Sequence, residues 1–127
     1  MAKILVADDD AVTILFVKSL LEDRGHQVIT AEDGATAIQL IRNERPDLVV
    51  TDLVMPFRNG LEILREIRED VRLKRIPVVV ISMKGKEGDI VLGLEEGADD
   101  YIVKPFHALE LVARIQRLLE RRVGIIT

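Results

Sequence analysis

Short runs of apolar residues recur along the chain, and each is followed by polar or small residues and then by a helical pattern. The five runs are KILVA (3–7), HQVITA (26–31), DLVVTD (47–52), IPVVVIS (76–82) and YIVK (101–104). Three of them are near-continuous in Val, Ile and Leu, which is typical of parallel strands covered on both faces, whereas HQVITA alternates and suits a sheet edge. The rhythm predicts five strand-helix repeats, and hence a doubly wound α/β sheet with helices on both faces.

Between these runs, apolar residues at helical spacing mark the faces that we expect to pack on the sheet. These faces comprise Phe16, Val17, Leu20 and Leu21 in the first helix, Ile63, Leu64 and Ile67 in the third, and Val112, Ile115 and Leu119 in the fifth. Gly25 and Gly97 stand where helices should stop, and Asp10 stands where the first helix should be capped. Gly60 serves either a turn or the start of the third helix.

Length and composition place the chain among soluble single domains. At 127 residues it can bury one core, so residues 1–127 are expected to form one domain, with 122–127 as a linker stub or the natural C-terminus. The absence of cysteine excludes disulfides and thiolate metal sites. A net charge of −4 argues against direct nucleic-acid binding. Without an apolar run of about 18 residues, the expected location is cytoplasmic, with no membrane contact.

Charged and hydroxyl side chains end four of the five predicted strands. Asp8 and Asp9 follow the first, Asp52 ends the third, Ser82 the fourth and Lys104 the fifth. Each of these residues alone is more often a solvated turn residue than a functional one. Because the carboxyl ends of parallel strands meet at one edge of a sheet, we expect all five to lie together, and we call them the acidic rim.

The acidic rim has a chemistry of its own. Three carboxylates beside one ammonium group repel one another, and a divalent cation would relieve that repulsion. Oxygen ligands without His or Cys favour Mg²⁺ or a similar hard ion such as Mn²⁺ over zinc. Such a site could stabilise a phosphoryl group and hold it as an acyl phosphate, with the central Asp52 as the best nucleophile.

Five ordered motifs carry a family resemblance: ILVADDD, AEDGATAI, DLVVTDLVMPFRNGLEIL, VVVIS and GADDYIVKPF. In this order, and over essentially its full length, the chain resembles the receiver domains of two-component response regulators. The resemblance implies a flavodoxin-like three-layer sandwich with strand order 2-1-3-4-5. It also implies a phosphoaccepting signalling switch that modifies itself and is not a turnover enzyme.

The resemblance implies a role for each residue of the site. Asp52 would be the phosphoacceptor, taking its phosphoryl group from a phosphohistidine of a sensor histidine kinase or a histidine phosphotransfer domain. Asp8, Asp9, Asp52 and the backbone carbonyl of Val54 would hold Mg²⁺ or Mn²⁺. Lys104 would stabilise the phosphoryl group together with a hydroxyl donor on the fourth strand.

A switch is implied as well. Ser82 would supply that hydroxyl and move toward the phosphoryl group, Tyr101 would turn inward with it, and the Lys104–Pro105 peptide would be cis. The fourth helix, fifth strand and fifth helix would report the change to an effector domain or a partner protein. A half-buried ring on an edge strand is the simpler interpretation of Tyr101 taken alone.

Three residues flank the acceptor where the family tunes the lifetime of the phosphoryl group. Met83 stands where the family commonly has a small residue, and its side chain could narrow access to Asp52. Val54 cannot position an attacking water, and Lys84 could contact the phosphoryl group or stay in solvent. A long-lived phosphoryl state is expected, unless these side chains only point to water.

The C-terminal part most resembles receivers that precede winged-helix DNA-binding domains. Asp100, Glu110 and Arg114 match charges that pair across a phosphorylation-dependent homodimer in that subfamily. Ile90 and Leu92 stand where it usually has basic residues, so an apolar patch could support a different association there.

Two other sets of residues invite a functional interpretation. Ile14 and Leu15 lie off the predicted core face of the first helix, near the acidic rim. The resemblance implies that the kinase docks there, so these residues form an apolar dock or one of them packs under a loop. His26 and His107 lack a second ligand at metal spacing and are interpreted as surface or capping residues.

Two rival functions stay open. Asp8 and Asp10 form a D-x-D pair, as a small Asp-nucleophile phosphohydrolase would require, although 127 residues leave little room for a substrate cap. A phosphorylation-independent binding module is the second rival, and the complete set of Asp52, Ser82 and Lys104 argues against it.

Overall fold

The computed structural model describes residues 1–55, 57–83 and 87–124. Within these ranges, five strands alternate with five helices. The elements are β1 (Lys3–Ala7), α1 (Ala11–Glu22), β2 (Gln27–Ala31), α2 (Gly34–Glu44), β3 (Leu48–Asp52), α3 (Gly60–Glu69), β4 (Val78–Met83), α4 (Glu87–Glu95), β5 (Asp100–Lys104) and α5 (Ala108–Gly124). Part of the predicted linker stub, 125–127, lies outside the described residues. No helix in the described ranges is long and apolar enough to cross a bilayer.

The strands form one parallel sheet in the order β2-β1-β3-β4-β5, which confirms the doubly wound prediction. β2 lies at an edge, as its alternating pattern indicated, and β3 lies in the middle with all five residues buried. The strand order reverses between β1 and β3, and in such sheets ligands bind outside the carboxyl ends of the strands near this point. The ends of β1 and β3 are therefore where a site is expected.

Two apolar clusters cover the two faces of the sheet. On one face, α2 and α3 pack with residues such as Ile41, Leu64 and Ile67. On the other, α1 and α5 pack with residues such as Leu21 and Leu111. The protein is thus a three-layer sandwich, and its helices on both sides bury the continuous Val and Ile runs of the central strands.

The face of α1 differs from the prediction. Ile14 is 7% exposed and packs inward with Val17 and Leu21, whereas Phe16 is 48% exposed, so its assignment to the core face was wrong. Residues 14, 17 and 21 follow the three- and four-residue spacing that aligns side chains along a helix, and Phe16 falls to one side of that line. The phenyl ring of Phe16 instead lies 6.1 Å from that of Phe106.

The face of α5 is shifted in a similar way. Leu111, Ile115 and Leu118 are buried, while Val112 and Leu119 are only half-buried at the border of this stripe. The prediction was therefore right for Ile115. For the other two positions it chose the residue one place after the buried one. Apolar residues at both positions leave the rotation of a helix ambiguous in the sequence.

The predicted helix boundaries hold. Asp10 caps α1, because its side chain accepts a hydrogen bond from the Val12 N–H, and Gly25 and Gly97 have φ of +88° and +106°. His26 is half-buried, and its Nδ1 accepts a hydrogen bond from the Ala2 N–H at 3.1 Å. The exposed His107 accepts two backbone hydrogen bonds at the start of α5 through its carbonyl oxygen.

Candidate functional site

Residues from both ends of the chain meet at the carboxyl edge of the sheet. Asp8 follows β1 and is fully buried, Asp52 ends β3 and is 8% exposed, and Lys104 ends β5. The Nζ of Lys104 donates hydrogen bonds to Oδ2 of Asp8 at 2.9 Å and to Oδ2 of Asp52 at 3.0 Å. The Lys104–Pro105 peptide is cis. The fold thus brings together charges that lie up to 96 residues apart in the chain.

The backbone around Asp52 is closely held. Oδ1 of Asp52 accepts a hydrogen bond from the Val54 N–H at 3.1 Å, and the buried Thr51 hydroxyl donates to the Asp52 carbonyl at 2.9 Å. Gly60 starts α3 directly against this strand end, where a Cβ would lie 2.4 Å from the Asp52 carbonyl oxygen. Only glycine permits that approach. Gly60 therefore belongs both to the turn and to the helix start, and it fixes the loop that follows Asp52.

Asp8 is the most constrained carboxylate. Its Oδ1 accepts a hydrogen bond from the Asp10 N–H at 2.9 Å. Burial raises the pKa of Asp8, and the hydrogen bonds from Asp10 and Lys104 offset this only in part. Burial alone would lower the pKa of Lys104, but its hydrogen bonds to Asp8 and Asp52 raise it. Lys104 is therefore protonated at neutral pH and balances part of the acidic charge.

The carboxylates are also close enough to share a metal ion. One oxygen each of Asp8, Asp9 and Asp52 lies within 4.8 Å of the others, and Asp9 is the exposed member. Hard oxygen donors with a surplus of negative charge fit Mg²⁺ or a similar ion. Asp10 has a different task, since the hydroxyl of Thr13 and the Val12 N–H bind its carboxylate and lower its pKa. The three consecutive acids thus divide into a cluster and a helix cap.

The predicted switch and tuning residues lie on or after β3, β4 and β5 where the structure describes them. Ser82 is buried at the end of β4, and its hydroxyl donates to the Met83 carbonyl at 3.3 Å. Tyr101 is 37% exposed on the edge strand β5. The side chains of Val54 and Met83 are exposed. Lys84 lies outside the described residues.

The predicted charged set of the output face pairs within the chain. Asp100 is buried, and its carboxylate accepts hydrogen bonds from Arg114 Nη1 at 2.9 Å and Arg117 Nη2 at 3.0 Å. Arg114 Nη2 also donates to Glu110 at 3.2 Å. Arg117 was not singled out in the sequence, although its position three residues after Arg114 places both on one side of α5.

Two predictions about the helix surfaces fare differently. The side chains of Ile90 and Leu92 lie outside the part of α4 that the structure describes. Leu15 is exposed, as a docking residue would be. Ile14 is buried, so it packs inside the protein and is not available for docking.

An apolar groove lies beside the acidic rim. It has a volume of about 680 Å³, and its lining includes Val12, Phe16, Met83, Pro105 and Phe106. The sequence placed Phe16 in the core and so missed this surface. The sequence did contain a signal for it. Side chains on a helix tilt toward its N-terminus, and Phe16 lies in the second turn of α1, close to the acidic residues that precede the helix.

The fold and the acidic site define the class of this protein. Residues 4–116 match the family described as the response regulator receiver domain, and the chain belongs to that family. Receiver domains are the signalling switches of two-component systems. The receiver domain protein from Clostridium thermocellum has a TM-score of 0.91 with this chain at 31% identity, and the match covers 98% of this chain and 99% of that one.

Among curated relatives, the chain is similar to two transcription regulators. It is 45% identical over 121 residues to the transcriptional regulatory protein CpxR of Escherichia coli (strain K12), covering 95% of this chain and 50% of the relative. It is 43% identical over 119 residues to the DNA-binding response regulator MtrA of Mycobacterium tuberculosis (strain CDC 1551), covering 94% and 51%. The chain spans about half the length of these curated relatives.

Proposed function

We propose that the chain accepts a phosphoryl group on Asp52 from the phosphohistidine of a sensor histidine kinase or a histidine phosphotransfer domain. One observation carries this proposal. A nearly buried carboxylate on the central strand shares a lysine with Asp8 at 3.0 and 2.9 Å, and its oxygen lies within 4.8 Å of the other two acids. No simple structural role needs three carboxylates and one ammonium at one strand edge.

The transfer is a displacement at phosphorus. An Asp52 oxygen forms the new P–O bond while the P–N bond to the donor imidazole breaks, and the electron pair of that bond remains on the imidazole nitrogen. The product is an acyl phosphate on Asp52. Lys104, already hydrogen-bonded to this carboxylate at 3.0 Å, stabilises the negative charge on the phosphoryl oxygens.

Asp8, Asp9, Asp52 and the carbonyl of Val54 would hold Mg²⁺ or Mn²⁺. The three carboxylates fit such an ion because they supply hard oxygen donors at close range, and among the described residues Lys104 is the cation that balances them. When bound, the ion supplies positive charge that stabilises the phosphoryl oxygens. The residues of the chain orient the acceptor and exclude water from its buried side.

A change at Asp52 would spread through β4 and β5. Ser82 would leave the Met83 carbonyl and donate its hydroxyl to a phosphoryl oxygen, and the exposed ring of Tyr101 would turn inward. The face formed by α4, β5 and α5 would then bind an effector domain, a partner protein or a second copy of the chain. Residues 1–127 would thus act as one receiver, a switch without turnover of substrate.

The surroundings of Asp52 support a long-lived phosphoryl state. The exposed side chains of Val54 and Met83 are apolar and cannot orient an attacking water. The groove lined by Phe16 and Phe106 would receive the phosphohistidine-bearing domain of the donor.

The phosphohydrolase alternative is weaker. Its D-x-D pair needs Asp10 beside the substrate, but the carboxylate of Asp10 binds the Val12 N–H and the Thr13 hydroxyl as a helix cap. The binding-module alternative does not explain why Asp52 and Lys104 should be kept together at 3.0 Å.

One experiment separates these functions. The chain is incubated with acetyl phosphate and Mg²⁺, and its intact mass is followed with time. Asp33 caps α2 by accepting a hydrogen bond from the Thr36 N–H at 2.7 Å, so Asp33→Asn serves as a helix-cap control. We expect one added phosphoryl group in the wild type and in Asp33→Asn, and none in Asp52→Asn. Modification that persists in Asp52→Asn, or steady hydrolysis of varied phosphoesters, would rule out the proposal. Absence of any adduct, combined with no binding of beryllofluoride, would favour the binding module.

A further inference from the structure

The three methionines of the chain lie in very different surroundings. Met55 is 7% exposed and packs in the cluster on the α2 and α3 side of the sheet, whereas Met83 ends β4 and is 61% exposed. Met1 is also exposed, but it precedes β1 and so lies at the opposite end of that strand from Asp8. The chain contains no cysteine, so these thioethers are its most readily oxidised side chains.

The side chain of Met83 lies on the same face of the sheet as the acidic rim. Residues two apart on a strand share a face. Ile81, two residues before Met83, packs in the cluster on the α1 and α5 side, and so does Val50, two residues before Asp52. Asp52 and Ile81 are register partners, so Met83 stands on this face two residues further along the neighbouring strand.

Met83 is also adjacent to the cation of the acidic rim. Met83 and Lys104 are register partners on β4 and β5, and both line the apolar groove beside α1. The Nζ of Lys104 is hydrogen-bonded to Asp52 at 3.0 Å. The exposed thioether of Met83 therefore lies beside the group that would stabilise the phosphoryl oxygens on Asp52.

A peroxide converts a thioether into a sulfoxide in one two-electron step. The sulfur lone pair attacks one oxygen of hydrogen peroxide, so an S–O bond forms and the O–O bond breaks. The other oxygen leaves with its hydrogen as hydroxide, takes the proton from the transferred oxygen, and becomes water. Sulfur is oxidised, the peroxide is reduced, and methionine sulfoxide reductases reverse the change. An apolar side chain thereby becomes polar and gains a hydrogen-bond acceptor.

We propose that Met83 is an oxidation site for hydrogen peroxide and that its oxidation shortens the lifetime of the phosphoryl group on Asp52. Water that attacks phosphorus breaks the P–O bond to Asp52 and releases inorganic phosphate. The thioether cannot orient such a water, whereas a sulfoxide oxygen at the same place accepts a hydrogen bond from it. The inference rests on the proposed function and adds a redox control to the same site.

The first measurement is the site of oxidation. The folded chain is treated briefly with hydrogen peroxide, and peptide mass spectrometry locates each added oxygen. We expect Met83 to oxidise about tenfold faster than the buried Met55, with the exposed Met1 as the reference for full access. Equal rates at Met83 and Met55 would overturn the proposal, because Met83 would then be no more accessible than a core residue.

The second measurement is the lifetime of the phosphoryl group. Oxidised and untreated wild type are phosphorylated with acetyl phosphate and Mg²⁺, separated from the donor, and followed by intact mass. We expect oxidation to speed the loss about threefold or more, and the reductases MsrA and MsrB to restore the original rate. Loss that is unchanged or slower after oxidation would contradict the proposal.

Two variants at this position separate the thioether of Met83 from the other methionines. Met83→Leu keeps an apolar side chain without sulfur, so the ratio of its lifetimes with and without peroxide should stay near one. Met83→Gln carries an uncharged oxygen acceptor, and it should lose its phosphoryl group about threefold faster than Met83→Leu without peroxide. Acceleration by peroxide in Met83→Leu, or equal rates in the two untreated variants, would refute the role of Met83.

The same experiment distinguishes failure of this inference from failure of the proposed function. An untreated wild type that takes no phosphoryl group from acetyl phosphate, and does not bind beryllofluoride, would overturn the proposed function and the redox control with it. An untreated wild type that is phosphorylated on Asp52, with a lifetime that does not respond to oxidation of Met83, would overturn the redox control alone.

Discussion

Two carboxylate clusters that contain buried acids lie at β5, and they differ in charge balance. At the carboxyl end of the sheet, Asp8 and Asp52 share the ammonium group of Lys104, and the exposed Asp9 lies close to both acids. At the other end of β5, Asp100 binds both Arg114 and Arg117, and Arg114 also binds Glu110. Both clusters contain buried acids with close cations, yet among the described residues the first has an excess of acid, whereas in the second the two acids balance the two arginines.

The two clusters differ in how completely the charge of their buried acids is paired. In the Asp100 cluster the carboxylate is fully neutralised, and Arg114 Nε even lies buried without a hydrogen-bond partner among the described residues. Such a pair holds β5 to α5 and needs no further ligand. In the acidic rim, Lys104 offsets only part of the repulsion between the carboxylates, and burial raises the pKa of Asp8. A buried charge that is left unbalanced is unfavourable until a ligand arrives, which is the condition for a binding site.

Removal of the cation from the acidic rim should have the largest effect. Lys104→Met leaves Asp8 and Asp52 close together without their shared donor, and we expect the free energy of unfolding to fall by about 3 kcal/mol in EDTA. Addition of Mg²⁺ should restore part of the loss, because the ion binds only the folded arrangement. Urea denaturation with and without Mg²⁺ measures both quantities. Equal losses in both buffers would show that the rim does not bind the ion.

Substitutions of the adjacent acids Asp9 and Asp10 should have different effects, one on metal binding and the other on helix capping. Asp9→Ala removes an oxygen donor from the cluster, and we expect the Mg²⁺ affinity to fall about tenfold or more by calorimetric titration. Asp10→Ala removes the cap of α1 and should lower Tm while it leaves the Mg²⁺ affinity unchanged. A loss of affinity in Asp10→Ala as large as that in Asp9→Ala would contradict the division of the three acids.

The Asp100 cluster should tolerate loss of one cation. Arg114→Met leaves Arg117 on the carboxylate, and both arginines are partly exposed, so we expect a loss of only about 1 kcal/mol that Mg²⁺ does not change. The double variant Arg114→Met with Arg117→Met should lose more than the sum of the single variants, since it alone leaves Asp100 unpaired. Additive losses would show that the two arginines do not share the carboxylate in solution.

The smallest expected effect is a difference in the pH dependence of stability, which distinguishes the lysine of the acidic rim from the arginines that bind Asp100. Burial would lower the pKa of Lys104, but hydrogen bonds to Asp8 and Asp52 raise it above the ordinary value of 10.5. A raised lysine pKa contributes stability that is complete below the unfolded value and is lost as the pH rises through the folded value. In EDTA, stability should therefore decline above pH 10.5 more steeply in Arg114→Met than in Lys104→Met. Identical pH profiles by urea denaturation would contradict this assignment.

The sequence predicted the sheet and the acidic rim more accurately than the faces of α1 and α5. The order of apolar runs was sufficient for the sheet, and the polar residues at the strand ends were sufficient for the acidic rim, because parallel strands bring their carboxyl ends together. The faces of α1 and α5 were less certain, since Phe16 and Leu119 compete with Ile14 and Leu118 for the core in sequence alone. Which of them is buried depends on how each helix rotates against the sheet.

The apolar periodicity by itself determined the doubly wound fold, and Asp8, Asp52 and Lys104 determined the character of the site. Only the tertiary structure decided that Asp100 is neutralised within its own chain and that Ile14, and not Phe16, packs against the sheet. Periodicity and residue type act through local geometry, which the sequence carries directly. The pairing of a charge, or the rotation of a helix against the sheet, depends on which distant elements come into contact, and these contacts form only when the whole chain is packed.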